Sequence, residues 1–165
     1  MIMSKNEQLI EKARRLGKEY MSKYGGCAQA TLMAVADTLD LEVCDSLFKA
    51  MIGLSSLSGG CGSICGGIAA IGLKYGVNRE NYKSMGPTTQ KIWGIVKLLR
   101  EKFNLEYGGF LCSEIQTKLY GRSYDPLNPK DIQAFMETKP VEKCSSVTEN
   151  AAGWAVEAIL EMANK

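Results

Sequence analysis

The sequence contains no histidine, and this absence excludes several kinds of site at once. A Ser-His-Asp triad, a Cys-His pair, a histidine-containing zinc site and a Cys-x-x-Cys-His haem attachment all require an imidazole. The sequence also lacks any Cys-x-x-Cys, which is the motif of thioredoxin-like enzymes. We therefore expect no bound haem and no catalytic residue of these familiar types.

The chain has no long hydrophobic run either. Its longest apolar stretch, around residues 64–73, is interrupted by glycine and is about half the length of a membrane span. Charged residues follow soon after Met1-Ile2-Met3, so the start of the sequence does not contain the hydrophobic segment of a secretory signal. We therefore expect a cytoplasmic protein with no membrane partner.

Charge of either sign is modest, with a formal net charge of +2 and no block of lysine and arginine. This distribution gives no reason to expect a nucleic-acid partner. Hydrophobic residues make up 45% and charged residues 23%, which is ordinary for a folded protein. The composition and the absence of a linker predict one domain over residues 1–165.

Helical periodicity dominates the chain, and no segment shows the period-two pattern of a strand. Ser4 and Glu7 form a capping-box pattern that opens a helix to about Tyr24, and a second helix follows to about Leu39. Further helices are predicted at about 65–75, 87–103, 113–120, 129–139 and 146–163. We predict an all-α, single-domain bundle of about seven to eight helices, with a glycine-rich loop at 55–67 that contains cysteine.

Four of the six cysteines fall where a helix is predicted to begin. They are Cys27, Cys65, Cys112 and Cys144. Cys44 is different, because it shares the apolar face of a predicted helix capped by Asp40, and we expect it in the core. Cys61 precedes Cys65 by four residues and has three possible roles: a fifth ligand, a resolving thiol or no role in the site.

The start of a helix has chemical meaning for a thiol. Unpaired backbone N–H groups and the positive end of the helix dipole favour an anion there, so a thiol can become a thiolate. Thiolates bind metals, and the same N–H groups can donate to the sulfurs of an anionic cluster. Four such cysteines would suit an iron–sulfur cluster or a structural zinc ion if the fold brings them together.

Several segments resemble one known family. Its features are Cys27-Ala28-Gln29-Ala30 after two glycines, the run from Cys65-Gly66-Gly67 to Gly76, a lone Cys112 and a lone Cys144. These resemble the C-GCAxxG-C-C family of redox-active bacterial proteins, over roughly residues 5–160. The resemblance implies that its four characteristic cysteines correspond to Cys27, Cys65, Cys112 and Cys144. The family's Cys-Gly-Ala-x-x-Gly element then corresponds to residues 65–70 with alanine and glycine exchanged, and Cys61 is an addition.

That family is similar to the cysteine-bearing region of split-Soret cytochromes c. The similarity implies an iron–sulfur centre, whereas the haem part cannot apply to a chain without histidine. We therefore predict a redox-active protein that holds an iron–sulfur cluster through Cys27, Cys65, Cys112 and Cys144, with Cys61 as an additional metal ligand to consider. The cluster would serve electron transfer or redox sensing with a redox partner protein.

Two alternative functions remain open from the sequence. One is a thiol–disulfide oxidoreductase in which Cys61 and Cys65 cycle, with the glycine loop supplying the bend that a disulfide would need. The other is a zinc-stapled or purely structural helical domain that docks onto a partner. Two copies of the chain could also share a cluster across a homodimer interface.

Overall fold

The computed structural model describes residues 3–55 and 59–163. The predicted glycine-rich loop includes residues 56–58, which lie outside the described residues. Within the described part the chain forms eight α-helices and no β-strand, so the all-α prediction is confirmed. The helices are α1 (Lys5–Tyr24), α2 (Cys27–Leu39), α3 (Asp45–Ala50), α4 (Gly62–Tyr75), α5 (Pro87–Tyr107), α6 (Cys112–Tyr120), α7 (Pro129–Glu137) and α8 (Pro140–Ala163).

Local sequence signals set several of these boundaries. The Ser4–Glu7 capping box opens α1, since the Ser4 hydroxyl accepts the Glu7 N–H and the Glu7 carboxylate accepts the Ser4 N–H. Gly25 ends α1 with a φ of 67°, in the left-handed region that glycine adopts without strain. Asn128 caps α7, and Pro129 occupies its first position.

The last helix, α8, packs against α1, α2, α4 and α5 and forms the centre of the bundle. Its most extensive contact is with α1, where Gly17 lies against the Thr148 carbonyl and the Ala152 side chain. The larger side chains of the core come mainly from α2, α4, α5 and α8, and include Leu32, Ile71, Phe103 and Ile159. Among the described helices, none has the length and hydrophobicity that crossing a membrane requires.

The prediction for Cys44 is wrong. Asp40 does not cap a third helix, because it adopts a left-handed conformation with a φ of 53° and ends α2 instead. The next helix, α3, begins only at Asp45, and Cys44 lies before it with an exposed side chain. Without helical geometry at residues 40–44, the apolar pattern there does not form one face.

Two other predicted helix starts also shift. The sequence pattern placed the start of α4 at Cys65, but the helix begins at Gly62 with Cys61 as its N-cap. Similarly, α8 begins at Pro140 and not near Ser146, whose hydroxyl donates to the Lys143 carbonyl within the helix. Cys27 is the first residue of α2, as predicted, and Cys112 is the first residue of α6, which begins one residue before the predicted start. Cys65 and Cys144 lie about one turn inside their helices.

Candidate functional site

Five of the six thiols share one electrostatic environment. Burial is the largest cause that raises the pKa of each, and the charge of Cys27 contributes further to raising that of the other four. The charge of Cys112 acts on Cys61, and those of Cys65 and Cys144 act on Cys112. We call these five residues the thiol cluster: Cys27, Cys61, Cys65, Cys112 and Cys144. The structure thus places the other three predicted cysteines, and Cys61 as well, within electrostatic range of Cys27.

A short backbone pairing holds Cys61 beside Cys112. The Cys61 N–H donates to the Phe110 carbonyl at 2.9 Å, and the Cys112 N–H donates to the Gly59 carbonyl at 3.0 Å. These bonds form an isolated antiparallel bridge between Gly60 and Leu111. Because each bonded cysteine stands at the start of its helix, the bridge fixes the starts of α4 and α6 relative to each other.

Glycine lets the backbone of α4 approach the sulfur of Cys27. A β-carbon added at Gly62 would overlap Cys27 Sγ, and one added at Gly60 would lie 3.2 Å from Cys65 Sγ. The close approach also turns backbone N–H groups toward sulfur, since those of Ala28, Cys27 and Gly62 all donate to the Cys27 thiol. At Gly62 and Gly60 the backbone itself therefore lies against the sulfurs of Cys27 and Cys65, and a side chain at either position would overlap or crowd the sulfur.

Cys61 is the most deeply placed member of the thiol cluster. Its side chain is 6% exposed, and its sulfur accepts hydrogen bonds from the Ser63 and Ile64 N–H groups in the first turn of α4. These are N–H groups that a helix start leaves without an intrahelical acceptor. Cys61 thus has the helix-start environment that the sequence had assigned to Cys65, whose own N–H donates to the Cys61 carbonyl at 3.1 Å.

Polar side chains complete the surroundings of three sulfurs. The Ser55 hydroxyl, which donates to Gln29 Oε1 or the Met51 carbonyl, also lowers the pKa of Cys27 against the larger effect of burial. Gln116 Nε2 donates to Cys112 Sγ at 3.6 Å, and the Tyr120 hydroxyl lies 3.7 Å from Cys144 Sγ. Sequence reasoning missed all three residues. Gln116 is free to face the sulfur because Glu114, and not Gln116, accepts the Phe110 and Leu111 N–H groups at the start of α6.

The electrostatics of the thiol cluster favour neutral thiols when nothing is bound. Burial, followed by the charges of neighbouring thiols, raises the pKa of Cys112 to about 11. Burial likewise raises the pKa of Cys27, Cys65 and Cys144 despite the hydrogen bonds that these sulfurs accept. Within residues 3–55 and 59–163, no three side chains of Cys, Asp or Glu are grouped closely enough to hold a metal ion.

Comparison with known proteins adds one family. Residues 24–158 match the family model described as "Putative redox-active protein (C_GCAxxG_C_C)". Neither a search of curated proteins nor a search of solved structures gave a significant match. The matched segment includes all five members of the thiol cluster, the whole of α2, α4 and α6, and α8 as far as residue 158.

The packing of α4 also bears on how the Cys-Gly-Ala-x-x-Gly element is read. Starting from Cys61, residues 61–66 keep the cysteine and both glycines, and only Ser63 replaces alanine. Starting from Cys65, the second glycine becomes Ala70. A β-carbon at Gly66 would overlap the Ala28 carbonyl oxygen, so the helix contact requires glycine at that position. Gly66 is a glycine of the element in both readings, so this contact explains the glycine without distinguishing the two.

Proposed function

Because the chain belongs to the C_GCAxxG_C_C family of redox-active proteins, we propose that its thiol cluster holds an iron–sulfur cluster. Cys27, Cys112 and Cys144 would supply three ligands, and Cys61 or Cys65 would supply the fourth. The observation that carries the proposal is the convergence of these sulfurs with N–H and O–H donors directed at them.

The donor set fits such a group. Thiolates are the usual ligands of iron–sulfur clusters, and hydrogen bonds to the sulfurs adjust the reduction potential. Here backbone N–H groups serve Cys27 and Cys61, while side chains serve Cys112 and Cys144. At Gly62 the backbone of α4 lies directly against the Cys27 sulfur, because glycine has no β-carbon.

The raised pKa values argue against free thiol chemistry as the main role. A nucleophilic cysteine needs a thiolate at working pH, and a lowered pKa is the usual device that supplies it. Burial shifts the pKa of all five thiols in the opposite direction. A bound metal deprotonates its cysteine ligands, so binding would supply the thiolates that burial disfavours.

The size of the bound group also matters for the choice of metal. A single zinc ion draws four sulfurs to about 2.3 Å from one centre. The described Cys, Asp and Glu side chains form no group so close. A cluster of several iron and sulfide atoms holds its ligands farther apart than one ion does, so the metal and sulfide content of the purified protein distinguishes the two.

In this proposal the bound cluster supplies one-electron chemistry, for electron transfer or redox sensing with a redox partner protein. The chain's own residues hold the sulfurs, direct donors at them and keep water away. Cys61 does so from the N-cap of α4, beside the first residue of α6. Burial of the sulfurs lowers the local polarity, which is a second influence on the potential.

The direct test is to purify the protein without oxygen and to measure iron, acid-labile sulfide, zinc and the visible spectrum. We expect iron and sulfide with sulfur-to-iron charge-transfer absorption. A colourless protein without iron after anaerobic reconstitution would contradict the proposal. One zinc per chain would favour the structural alternative, and a reversible Cys61–Cys65 disulfide without metal would favour the thiol–disulfide enzyme.

Cys44→Ser is the matched control for these measurements. Cys44 is exposed and lies outside the thiol cluster, so its replacement removes a thiol without changing the site. We expect this variant to retain iron and sulfide at the level of the unmodified protein. Cys112→Ser and Cys144→Ser should lose most of both.

A further inference from the structure

Helix α6 directs two side-chain donors at two different sulfurs of the thiol cluster. Gln116 and Tyr120 are four residues apart, so they occupy the same face of the helix. Gln116 Nε2 donates to Cys112 Sγ at 3.6 Å, and the Tyr120 hydroxyl lies 3.7 Å from Cys144 Sγ. Sulfur is larger than oxygen, so these separations are those of hydrogen bonds. One helix therefore reaches a sulfur of its own and a sulfur of α8.

The orientation of the Gln116 amide is set by a second bond. Its Oε1 accepts the Tyr124 N–H at 2.8 Å, and the side chain is 9% exposed. An amide whose oxygen is engaged on one side must present its NH₂ group on the other. The loop that follows α6 thus aims a donor at Cys112.

The Tyr120 ring is held in place by its neighbours. Tyr124 and Phe135 pack edge-on against it, with ring centroids 6.1 and 5.7 Å away, and the Lys143 ammonium lies over its face. The hydroxyl proton has two acceptors within reach, the Pro140 carbonyl at 3.4 Å and Cys144 Sγ. A thiol at Cys144 can donate to the phenol oxygen, but a thiolate can only accept. A Cys144 sulfur that ligates a metal would carry no proton, so the phenol would be the donor to it.

We infer that Gln116 and Tyr120 are positioning residues that raise the reduction potential of the group bound by Cys112 and Cys144. This inference rests on the proposed function. Reduction adds negative charge that spreads onto the ligating sulfurs, and a donor directed at sulfur stabilises the more negative state. Unlike the backbone N–H groups that serve Cys27 and Cys61, these two donors can be removed by substitution.

The test compares the midpoint potentials of reconstituted variants in a spectroelectrochemical titration. Tyr120→Phe keeps the ring and removes the hydroxyl, and Gln116→Met keeps similar bulk and removes the amide donor. We expect both to bind iron and sulfide as the unmodified protein does and to have more negative midpoint potentials. The double variant should shift further than either single variant.

Two more variants sharpen the comparison. Gln116→Glu still accepts the Tyr124 N–H but replaces the donor by a negative charge, so it should shift the potential further than Gln116→Met. Thr117→Val is the matched control on the same helix, because its hydroxyl donates to the Ser113 carbonyl and not to sulfur. Its potential should equal that of the unmodified protein.

The outcomes separate this inference from the proposed function. Full iron and sulfide binding with unchanged potentials in both donor variants would overturn the inference and leave the proposed function in place. Loss of iron from both variants, with helical content and unfolding midpoint unchanged, would show that the donors hold the group without adjusting it, and would also overturn the inference. Absence of iron from the unmodified protein would overturn both.

Discussion

The hydroxyl oxygens of Ser63 and Thr148 lie 3.0 Å apart in the core, and both side chains are almost fully buried. Ser63 stands two residues after Cys61 in α4, and Thr148 stands four residues after Cys144 in α8. The Thr148 hydroxyl also donates to the Cys144 carbonyl at 3.1 Å. This polar contact therefore ties the backbone of Cys144 to the start of the helix that Cys61 caps.

The contact predicts an asymmetry between two substitutions. Thr148 has one hydroxyl proton, which goes to the Cys144 carbonyl, so Ser63 is the donor between the two hydroxyls. Thr148→Val leaves the Ser63 hydroxyl buried without its acceptor, which costs about 1–3 kcal/mol in the free energy of unfolding. Ser63→Ala removes only a donor and costs about 0.5–1.5 kcal/mol. Urea denaturation of the metal-free protein would measure both.

The double variant provides the control for this prediction. Removing both hydroxyls leaves neither partner unsatisfied, so its loss of stability should be smaller than the sum of the single losses by at least about 0.5 kcal/mol. Strictly additive losses would show that the two hydroxyls are not coupled.

Two glycines of α4 give a second prediction: alanine should destabilise the protein at one position and stabilise it at the other. A β-carbon at Gly66 would overlap the Ala28 carbonyl and press on Thr31, whereas one at Gly72 would have no heavy atom within 4 Å. Gly66→Ala should destabilise the protein by about 1–3 kcal/mol, because a backbone contact cannot yield as a side chain does. Gly72→Ala should stabilise it by about 0.5–1 kcal/mol, because alanine favours a helix interior. Thermal unfolding of both variants would check the signs, and a destabilised Gly72→Ala would contradict this reading of the packing.

The glycine content of this segment also explains why the sequence pattern predicted too late a start for α4. Glycine is a poor helix former, so the run from Gly59 to Gly67 looks like a loop when it is judged by propensity. In the structure Gly62 and Gly66 lie inside the helix, and glycine is required at both positions because α2 passes so close that no side chain fits. This contact depends on tertiary packing, which local propensity does not contain.

Two other errors have local causes. Asp40 suits a helix N-cap, but it also tolerates the left-handed conformation that ends α2. Pro140 suits the first position of a helix as well as the end of one, and here it begins α8 after Lys139, whose φ is 52°. In contrast, the position of Cys27 at the start of α2 could be predicted correctly, since the two glycines before it separate α1 from α2. The spacing of the cysteines along the sequence could not show that four helices bring thiols to one region of the fold.

The identity of the fourth ligand is a third prediction. Cys61 is buried, caps α4 and accepts two N–H groups, whereas Cys65 is only partly buried and its own N–H donates to the Cys61 carbonyl. We therefore expect Cys61→Ser to lose most of its iron and sulfide and Cys65→Ser to keep most of both after anaerobic reconstitution. The reverse result would assign the ligand to Cys65, as the sequence first indicated. Loss in both variants would mean that the two thiols act together.

A fourth prediction concerns the pH dependence of stability in the metal-free protein. An unfolded cysteine loses its proton near pH 8.5, whereas burial and neighbouring thiols raise the pKa of folded Cys112 to about 11. Between these values the folded state binds more protons than the unfolded state, so the free energy of unfolding must fall as the pH rises. Burial raises the pKa of Cys27, Cys65 and Cys144 in the same direction, and their effects add to this fall.

Cys112→Ser isolates the contribution of one thiol from other groups that titrate at high pH. Urea unfolding midpoints of the metal-free protein from pH 7 to 10.5 should fall less steeply in this variant than in the unmodified protein. Binding of a metal group replaces the protons of the cysteine ligands, so the loaded protein should lose less stability over the same range. Equal slopes for Cys112→Ser and the unmodified protein would contradict the burial of this thiol, because a sulfur in contact with water would titrate alike in the folded and unfolded states.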